Sequence, residues 1–405
     1  MGSIKLIRKG AVSVKICCPC CTKQENQALF QTCSIPVMPN QLCRTKNEAK
    51  AVPRGDIFLV RCGACGTVWN RDYQPERMSY DAKYDNSQDL GQEYQVHFRR
   101  MLDFLTSNVD LREKKVLEIG CGKGRFLTSL AKKTGCLACG VDPSYLGGEK
   151  SADGLCSFIK GTYDQTLAQS FGEGAFDCVI MRQVFDQLPN PGEVMRNIAF
   201  NLRMDGYLYV EGLEFQNLLT RRSILDLSYE RRTYFTAESL KRVMSNAGIE
   251  MTVRTTGFHG QYMAALGRKN AEGTIPDNCE SRVCEGTRPW GAEQDLARAR
   301  GRLEELGRAG RIALWGAANR GVMFCNLLDR ETVLIDCVVD ILPAKQGGFL
   351  PGSGHPIIAP EELETHGISW VAAANRNYEQ EIKKQLQDMG SRAGVLTAEE
   401  ILGLD

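Results

Sequence analysis

The chain has 405 residues, which at about 150 residues per domain predicts two or three domains and excludes a single small module. Hydrophobic residues make up 43% and charged residues 24%, a balance that excludes global disorder. The 50 Lys and Arg residues nearly balance the 49 Asp and Glu residues, so we expect no general attraction to nucleic acid or to an anionic membrane. The sequence contains no apolar stretch as long as a spanning helix and no signal-peptide core, which predicts a cytoplasmic protein.

Cysteine is concentrated at the start of the chain, where eight of the 17 cysteines lie within the first 65 residues. Two CxxC pairs stand out there, Cys18 with Cys21 and Cys62 with Cys65. Each pair turns two thiolates to one side of a tight loop, and four such ligands suit tetrahedral zinc. Neither pair has a nearby His or an acidic open-site pattern, so the spacing predicts a closed, structural Zn²⁺ site.

The first CxxC pair has two registers, because Cys17 and Cys20 have the same spacing as Cys18 and Cys21. We favour Cys18 and Cys21, since a Pro directly follows the first ligand. The alternative of reduced cysteines without metal stays open. The remaining cysteines are scattered singly in apolar segments, which is typical of small buried core residues.

A strand, glycine loop and helix follow in the middle of the chain, over residues 115–132. Gly120, Gly122 and Gly124 let the backbone approach a ligand closely, and Glu118 precedes them by two positions. A second strand ends on Asp142, where a carboxylate can hold both hydroxyls of a ribose. These features predict an adenosine-binding doubly wound α/β domain, and by themselves they do not separate nicotinamide cofactors from S-adenosylmethionine.

The sequences EIGCGKGR and GVDPS resemble those of the class I S-adenosylmethionine-dependent methyltransferases. The resemblance implies S-adenosyl-L-methionine as the cofactor, its amino-acid part on the glycine loop and its ribose on Asp142. It also implies an adenine edge at residues 161–164 and a fourth strand over 176–182. The cofactor-binding residues expected on this basis are Glu118, Gly120, Gly122, Gly124, Asp142, Thr162, Tyr163, Arg182 and Gln183.

The last third of the chain repeats the pattern of a strand, glycine turn and helix. A helical segment over residues 292–308 precedes a strand at 311–315 and the loop GAANRG from Gly316. The helix N-terminus behind Gly316 is a place for phosphate, with Arg320 adding charge. The spacing fits equally well an α/β domain that serves only packing or dimerisation.

The order of parts resembles the three-domain sugar C-methyltransferases that act on nucleotide-linked 4-keto-deoxysugars. The resemblance rests on the paired CxxC motifs, on YDAKY ending at Tyr84, on EIGCGKGR, and on WGAANRG and DILPAKQGGFLPG. It implies a zinc-binding module over residues 1–75, a methyltransferase domain over 76–269 and an acceptor-binding α/β domain over 270–405. The acceptor-binding residues expected on this basis are Tyr84, Asn86, Gly316, Asn319, Arg320 and Lys345.

Several residues depart from that family around one site. The family's stretch like YHEHLSYF reads SYERRTYF here, so Glu230 persists while Arg231 stands where the family has its catalytic His. The family's HVLEH reads QVFDQ, and Asn86 replaces an aromatic residue. Arginine cannot abstract a proton at neutral pH but suits an anion, so Glu230 or Tyr229 is left as the candidate base if burial tunes its pKa.

Three functions remain as hypotheses from the sequence. The first is C-methylation of a nucleotide-linked ketosugar in natural-product or surface-glycan biosynthesis. The second is O- or N-methylation of another anionic intermediate, with Arg231 and Arg232 binding the anion. The third is a catalytically silent S-adenosylmethionine-binding subunit, which the retention of Glu118 with Asp142 argues against. The sequence leaves the oligomeric state open.

Overall fold

The computed structural model describes residues 4–6, 13–80, 83–85, 91–270 and 293–404. The strands are β1 (Ile4–Leu6), β2 (Ser13–Val14), β3 (Asn26–Pro36), β4 (Arg54–Cys62), β5 (Val68–Asn70), β6 (Lys115–Ile119), β7 (Leu137–Val141), β8 (Cys156–Ile159), β9 (Phe176–Arg182), β10 (Leu202–Leu213), β11 (Thr233–Tyr234), β12 (Ile249–Gly257), β13 (Tyr262–Lys269), β14 (Arg311–Trp315), β15 (Cys337–Val339), β16 (Ile357–Ile358), β17 (Ile368–Ala373) and β18 (Gly394–Thr397). The helices are α1 (Lys46–Lys50), α2 (Gln92–Asn108), α3 (Arg125–Thr134), α4 (Gln165–Phe171), α5 (Pro191–Asn201), α6 (Phe215–Thr220), α7 (Ala237–Ser245), α8 (Glu293–Ala309), α9 (Asn319–Leu328), α10 (Glu379–Asp388) and α11 (Ala398–Leu402). Short 3-10 turns lie at Pro75–Arg77, Phe185–Gln187, Ile224–Asp226, Pro360–Glu362 and Arg376–Tyr378. None of the helices in these ranges is long and apolar enough to cross a membrane.

The central sheet has the strand order β8-β7-β6-β9-β10-β13-β12. Its first five strands are parallel, whereas β13 runs antiparallel to both β10 and β12. Strand β6 is buried from Val116 to Ile119, as expected of a parallel strand covered on both faces by helices. Helix α3 buries Phe126, Leu127 and Leu130 on one face and ends at Gly135 with φ 75°. This is the predicted doubly wound α/β domain.

The N-terminal sheet is antiparallel, with the order β1-β3-β4-β5-β11 and with β2 beside β3. Its last strand comes from the middle of the chain, because β11 pairs with β5 with Thr233 opposite Trp69. The predicted module of residues 1–75 is therefore completed by a strand from the predicted middle domain. The segment that holds Glu230 and Arg231 lies immediately before this strand and is anchored on the N-terminal sheet.

The C-terminal sheet is entirely parallel, with the order β16-β15-β14-β17-β18. When the strands are counted from the first strand of each unit, this order is 3-2-1-4-5. The parallel part of the central sheet, β8-β7-β6-β9-β10, has the same order. Residues 271–292 lie outside the described residues, so the boundary at residue 270 between the middle and C-terminal units stays a prediction.

Shared hydrophobic cores join the three sheets. One cluster combines Cys18 and Cys65 with Val179 of β9 and Ile198 of α5. A second cluster runs from Ile57 of β4 through the middle of the chain to the C-terminal sheet. The α10 carboxylate Glu381 adds a polar link, since it accepts hydrogen bonds from the first two backbone N–H groups of α2. These contacts fix the surfaces between which the site lies.

Candidate functional site

The two CxxC pairs come together at one edge of the N-terminal sheet. The Sγ atoms of Cys18, Cys21, Cys62 and Cys65 all lie within 4.8 Å of one another. The Cys18–Cys65 and Cys21–Cys62 Sγ distances are 3.7 and 3.5 Å, close to the edge of about 3.8 Å that a tetrahedron with zinc–sulfur bonds of about 2.3 Å requires. This arrangement can hold a tetrahedral metal ion.

The alternative register of the first pair is not the one that the fold assembles. Cys17 is exposed and accepts a hydrogen bond from Gln24, 3.5 Å away. Cys20 is buried, and its backbone carbonyl lies against the start of α5, where a Cβ on Gly192 would approach its oxygen to 2.3 Å. The contact packs the CxxC loop tightly on the central domain.

The glycine loop after β6 has the left-handed backbone that its residues allow. Gly120, Gly122 and Gly124 have φ values of 72, 54 and 75°. A Cβ on Gly120 would collide with Val184, and a Cβ on Gly124 would collide with Phe158. A Cβ on Gly122 would meet nothing within 4 Å, so at this position a side chain would project into space left for a ligand.

Two buried carboxylates flank the glycine loop. Asp142 accepts hydrogen bonds from the Gly122 amide at 2.8 Å and from the Ser144 amide and hydroxyl at 2.7 and 2.6 Å. Oδ1 accepts both bonds from Ser144, whereas Oδ2 accepts only the bond from Gly122 and keeps a second lone pair for a ribose hydroxyl. Glu118 is buried, and its Oε2 has no hydrogen-bond partner. Burial raises the pKa of Glu118 to about 8.

A cavity of about 710 Å³ opens over this loop. It is lined by Glu118, Gly120, Gly122, Asp142 and Tyr84, among other residues, and we call it the cofactor cavity. The open position at Gly122 leaves space for a ligand such as S-adenosylmethionine. The unpartnered oxygen of Glu118 can accept a hydrogen bond from the ammonium or hydroxyl groups of that ligand.

The other residues expected at the cofactor contribute unequally. Thr162 is exposed at the cavity rim. Tyr163 also lines the cavity, but its hydroxyl donates to Asn201 at 2.6 Å inside the core, so it is committed to the fold. Arg182 lies 4.1 Å above the ring of Phe126 and forms two hydrogen bonds, of 2.8 and 3.2 Å, with the buried Glu211.

A second cavity, of about 190 Å³, lies between the central and C-terminal sheets. We call it the acceptor cavity. Gln183 and Gln187 line both cavities, and the Gln187 amide donates to the Gln183 carbonyl at 3.0 Å. Gln183 has φ 54°, which is rare for a residue with a side chain and typical of functional sites. The two cavities therefore meet at this pair of glutamines.

Glu230 is 4% exposed and lines the acceptor cavity. Burial raises its pKa to about 7, although Arg231 and a hydrogen bond from Tyr84 lower it. Tyr84 itself lines the cofactor cavity. A carboxyl group that titrates near neutral pH and lies where the two cavities meet is suited to accept a proton from a bound molecule.

Arg231 is held by Asp186, with 2.8 Å between Nε and Oδ2. Both side chains are largely buried. Burial by itself lowers the pKa of Arg231, but the ion pair with Asp186 helps to raise that pKa above its ordinary value. The guanidinium lines the acceptor cavity, but its positive charge is already balanced by the Asp186 carboxylate. Asp186 lies in the segment that replaces the family's HVLEH, so the two departures noted in the sequence form one contact.

Tyr229 is not placed to act as a base, contrary to the expectation from sequence. Its hydroxyl donates to the Asp72 carbonyl at 3.1 Å and accepts from the Gln74 amide at 3.0 Å. Its ring packs against Gly55, where a Cβ would approach it to 2.1 Å. Tyr229 and Glu230 form a turn in which the Arg231 backbone N–H donates to the Ser228 carbonyl at 3.3 Å, and in this turn the Tyr229 side chain packs on the N-terminal sheet.

The C-terminal residues expected to bind the acceptor line the acceptor cavity, with one change of role. Arg320 is fully engaged by the protein, because it donates to the Ala374 carbonyl, to Asp226 and to Glu399. Its charge is neutralised, so the prediction that it adds charge for a phosphate is wrong. Gly316 has φ 115° and accommodates the turn into α9.

Lys345 and Asn319 lie on the C-terminal side of the acceptor cavity. The Lys345 ammonium is buried, donates to the Ala317 carbonyl at 3.0 Å and lies 3.9 Å from Asp340. The Asn319 amide donates to the Leu225 and Leu227 carbonyls. Asn86, the remaining expected residue, lies outside the described residues.

The sequence did not single out Asn40, Tyr80, Asp186 and Gln187. Asn40 reaches the acceptor cavity from the N-terminal sheet region, and the Tyr80 hydroxyl lies 3.5 Å from the Gln187 amide oxygen. The departure QVFDQ was the one signal that could have identified Asp186 and Gln187. Asn40 carries no local signal, because only the packing of the three sheets brings it to the site.

Two family models match the chain. Residues 93–253 match a methyltransferase domain, and residues 294–398 match a C-methyltransferase C-terminal domain. The chain is 26% identical over 320 residues to the C-methyltransferase NovU of Streptomyces niveus, a match that covers 73% of this chain and 75% of NovU.

Two further similarities cover smaller parts of the chain. A ubiquinone biosynthesis O-methyltransferase of Neisseria meningitidis is 26% identical over 113 residues, which are 27% of this chain and 48% of that protein. The solved structure of Burkholderia thailandensis 1,6-didemethyltoxoflavin-N1-methyltransferase shows 17% identity and a TM-score of 0.35, covering 44% of this chain and 80% of that one.

The fold, the loop geometry and the matching family models define a class of protein. The chain is an S-adenosylmethionine-dependent methyltransferase with a class I Rossmann-like central domain. The matched C-terminal domain and the similarity to NovU further support a C-methyltransferase family.

Proposed function

We propose that this methyltransferase acts on carbon, at a position next to the ketone of a nucleotide-linked sugar, and that Glu230 is the base. The observation that carries the proposal is the buried Glu230 carboxyl, with a pKa raised to about 7, beside the meeting point of the two cavities. Carbon acids next to a ketone need a base, whereas an amine can attack directly through its lone pair. The C-methyltransferase C-terminal domain supports the same assignment.

The residues of the chain divide the work as follows. S-adenosylmethionine, when bound near Glu118, Gly122 and Asp142, supplies an activated methyl group. Glu230 takes the proton from the acceptor carbon, and Arg231, whose Nε is bonded to Asp186, uses its other N–H groups to donate hydrogen bonds to the ketone oxygen as the enolate forms. Burial of the base raises its pKa and therefore its basicity.

The nucleotide part of the acceptor is proposed to bind on the C-terminal side. Helix α9 starts at the acceptor cavity without a side-chain cap, which leaves backbone N–H groups for an anion. Lys345 lies on the same side. The similarity to the C-methyltransferase NovU supports an acceptor that is methylated on carbon.

The alternative of O- or N-methylation of an anionic intermediate has less support. It relied on Arg231 and Arg232 as anion binders. Asp186 already neutralises Arg231, and Arg232 lies over the rings of Trp69 and Tyr73, 5.7 and 5.2 Å from their centroids. The silent-subunit hypothesis leaves unexplained why Glu230, outside the cofactor cavity, is buried with an unpartnered oxygen.

Hydrogen exchange at the acceptor carbon tests the function directly. Wild-type protein with S-adenosylhomocysteine in D₂O should exchange the proton next to the ketone of a nucleotide-linked 4-ketosugar, observed by NMR. With labelled S-adenosylmethionine, NMR should locate the new methyl group on the same carbon. Glu230→Gln should slow both processes at least about 100-fold while S-adenosylhomocysteine affinity stays within about twofold.

Glu214→Gln is the matched control for this experiment. Glu214 is also a buried carboxyl whose pKa burial raises, but it caps α6 and lines neither of the two cavities. The control should retain wild-type turnover. Transfer of the methyl group to oxygen or nitrogen, or full turnover by Glu230→Gln, would contradict the proposal.

We also propose that the four-cysteine cluster holds one structural Zn²⁺ per chain. Elemental analysis of freshly purified protein should find one zinc per chain, and Cys62→Ser should lower zinc content and soluble yield, because metal binding is coupled to folding. Cys17→Ser, in the neighbouring exposed thiol, should retain the metal. Protein purified without any chelator that contains no zinc would contradict the assignment.

A further inference from the structure

Three buried oxygen atoms from residues lining the acceptor cavity have no hydrogen-bond partner. They are Oδ1 of Asn40, Oε1 of Glu230 and Oδ1 of Asn319. Asn40 is 5% exposed and Glu230 4% exposed. The three residues come from the N-terminal, central and C-terminal parts of the chain. The cavity where these parts meet is therefore lined by three residues with unsatisfied hydrogen-bond acceptors. Buried polar atoms are normally paired, and such exceptions require a physical explanation.

The orientation of Asn319 is fixed by its other contacts. Its Nδ2 donates to the backbone carbonyls of Leu225 and Leu227, both at 3.1 Å. A flipped amide would place Oδ1 against these two carbonyl oxygens, which would be repulsive. The unsatisfied atom is therefore an acceptor and not a misassigned donor.

The cofactor cavity is a second place where a buried acceptor atom without a partner occurs. Among its described lining residues, the buried side-chain atom without a partner is Oε2 of Glu118. The ligand of that cavity, S-adenosylmethionine, carries an ammonium group and two ribose hydroxyls, all of them donors. An unpartnered acceptor thus occurs in the cavity whose ligand brings donors.

The charges of the acceptor cavity favour the same class of ligand. Its cations are matched by carboxylates, with Arg231 at 2.8 Å from Asp186 and Lys345 at 3.9 Å from Asp340. Arg320 is likewise matched by Asp226 at 2.6 Å. The part of the cavity around Glu230 consequently has no excess positive charge to attract an anionic group.

We propose that the acceptor carries at least two hydrogen-bond donors, hydroxyl or ammonium groups, near the reacting carbon, and that Asn40 and Asn319 accept them. This inference rests on the proposed function and narrows it to acceptors whose ring keeps free donors. Asn40 and Asn319 are specificity-determining residues in this scheme, and Glu230 remains the base. A ring whose hydroxyls are capped or removed fits the site poorly.

Binding of three probes tests the inference, with S-adenosylhomocysteine present and Trp315, which lines the cavity, as the fluorescent reporter. The probes are thymidine-diphosphate-linked 4-keto-6-deoxyglucose, its analogue with the ring hydroxyls O-methylated, and its 3-amino analogue. Wild type should bind the hydroxyl sugar about tenfold more tightly than the O-methyl sugar, since methylation removes donors. Binding of the 3-amino analogue that is tighter than that of the hydroxyl sugar assigns an ammonium donor, and weaker binding assigns a hydroxyl.

Asn40→Leu and Asn319→Leu should weaken binding of the hydroxyl sugar and reduce its advantage over the O-methyl sugar to less than about threefold. Gln385→Leu is the control, because its amide in the same cavity already donates to Glu381 at 3.4 Å, and it should keep the full advantage. Thermal unfolding and S-adenosylhomocysteine affinity verify folding, and the comparison of probes on wild type stands even if one variant fails to fold.

The outcomes separate this inference from the function on which it rests. Equal affinity of wild type for the hydroxyl and O-methyl sugars overturns the inference alone. An undiminished hydroxyl preference in both Asn variants also overturns it. Failure of wild type to bind any of the three sugars overturns the proposed function and this inference with it.

Discussion

The central and C-terminal domains use the same backbone device at the same place. In the central domain, Gly120 donates to the Val141 carbonyl at 2.8 Å and Gly122 donates to Asp142 at 2.8 Å. In the C-terminal domain, Gly316 donates to the Val339 carbonyl at 2.7 Å, and the next residue, Ala317, donates to Asp340 at 2.8 Å. Each loop is thus tied to the end of the second strand by a backbone bond and a carboxylate.

The two loops differ in what surrounds this device. Glu118, two residues before the central glycine loop, corresponds to the buried apolar Leu314 before the C-terminal loop. Both carboxylates line a cavity, but Asp340 has the Lys345 ammonium 3.9 Å away. The comparison shows that the doubly wound backbone creates a potential nucleotide site and that a few side chains decide which ligand it can take.

The largest expected effect sharpens the central half of this comparison. Gly122→Val should weaken S-adenosylhomocysteine binding at least about 100-fold, measured by calorimetry, because its side chain would enter the cofactor cavity. Gly154→Val is the control, since Gly154 has a similar φ of 72° and equally open surroundings but lies outside the lining of that cavity. Comparable loss in both variants would point to backbone strain instead of ligand space.

A smaller effect concerns the carboxyl group that the C-terminal loop lacks. The pKa of Glu118 is about 8 in the ligand-free protein, so S-adenosylhomocysteine affinity should rise as pH increases from 6 towards 8 and the carboxylate forms. Glu118→Gln should reduce affinity about tenfold at pH 8 and flatten this pH dependence. An unchanged pH profile in the variant would assign the titration to another group.

The same raised pKa has a consequence for stability. Because the folded-state pKa lies above the ordinary value of 4.5, Glu118 favours the folded ligand-free protein most below that ordinary value. Its stabilising effect is lost as pH rises through about 8. Chemical denaturation from pH 5 to 9 should show a shallower decline in Glu118→Gln than in wild type.

The smallest effect tests the C-terminal half. Lys345→Met should lower the free energy of unfolding by about 1–3 kcal/mol, because it leaves the Ala317 carbonyl and Asp340 without their cation. Lys345→Met combined with Asp340→Asn should recover part of that loss. Calorimetry should still find one S-adenosylhomocysteine site per chain, and a second site in Lys345→Met would show that the lysine alone keeps the cofactor out of the C-terminal loop.

Local sequence patterns predicted the elements whose chemistry is local. The run from Glu118 to Gly124 and the carboxylate Asp142 lie in consecutive strand, loop and helix units, so spacing alone indicated a shared site. The spacing of the CxxC pairs likewise predicted a four-cysteine cluster. Only the fold shows that Cys18 and Cys21, and not Cys17 and Cys20, belong to it.

Other expectations depended on the side of the chain that each residue faces. Tyr229 and Glu230 are adjacent, yet the first packs on the N-terminal sheet and the second lines the acceptor cavity. The sequence predicted Arg320 as a phosphate ligand, but in the fold Asp226 and Glu399 pair with its guanidinium. Ion pairs between residues distant in the chain leave no pattern in the sequence.

The sequence by itself determined the class I methyltransferase unit, the repeated α/β pattern and the cysteine pairs, because these depend on residue types at short, fixed spacing. The tertiary structure decided which carboxyl group is buried where the two cavities meet and which residues line the acceptor cavity. It did so by pairing β11 with the N-terminal sheet and by bringing Asn40, Glu230 and Asn319 to one cavity. Burial and long-range pairing set pKa values and leave acceptors unsatisfied, and both arise only when distant segments pack together.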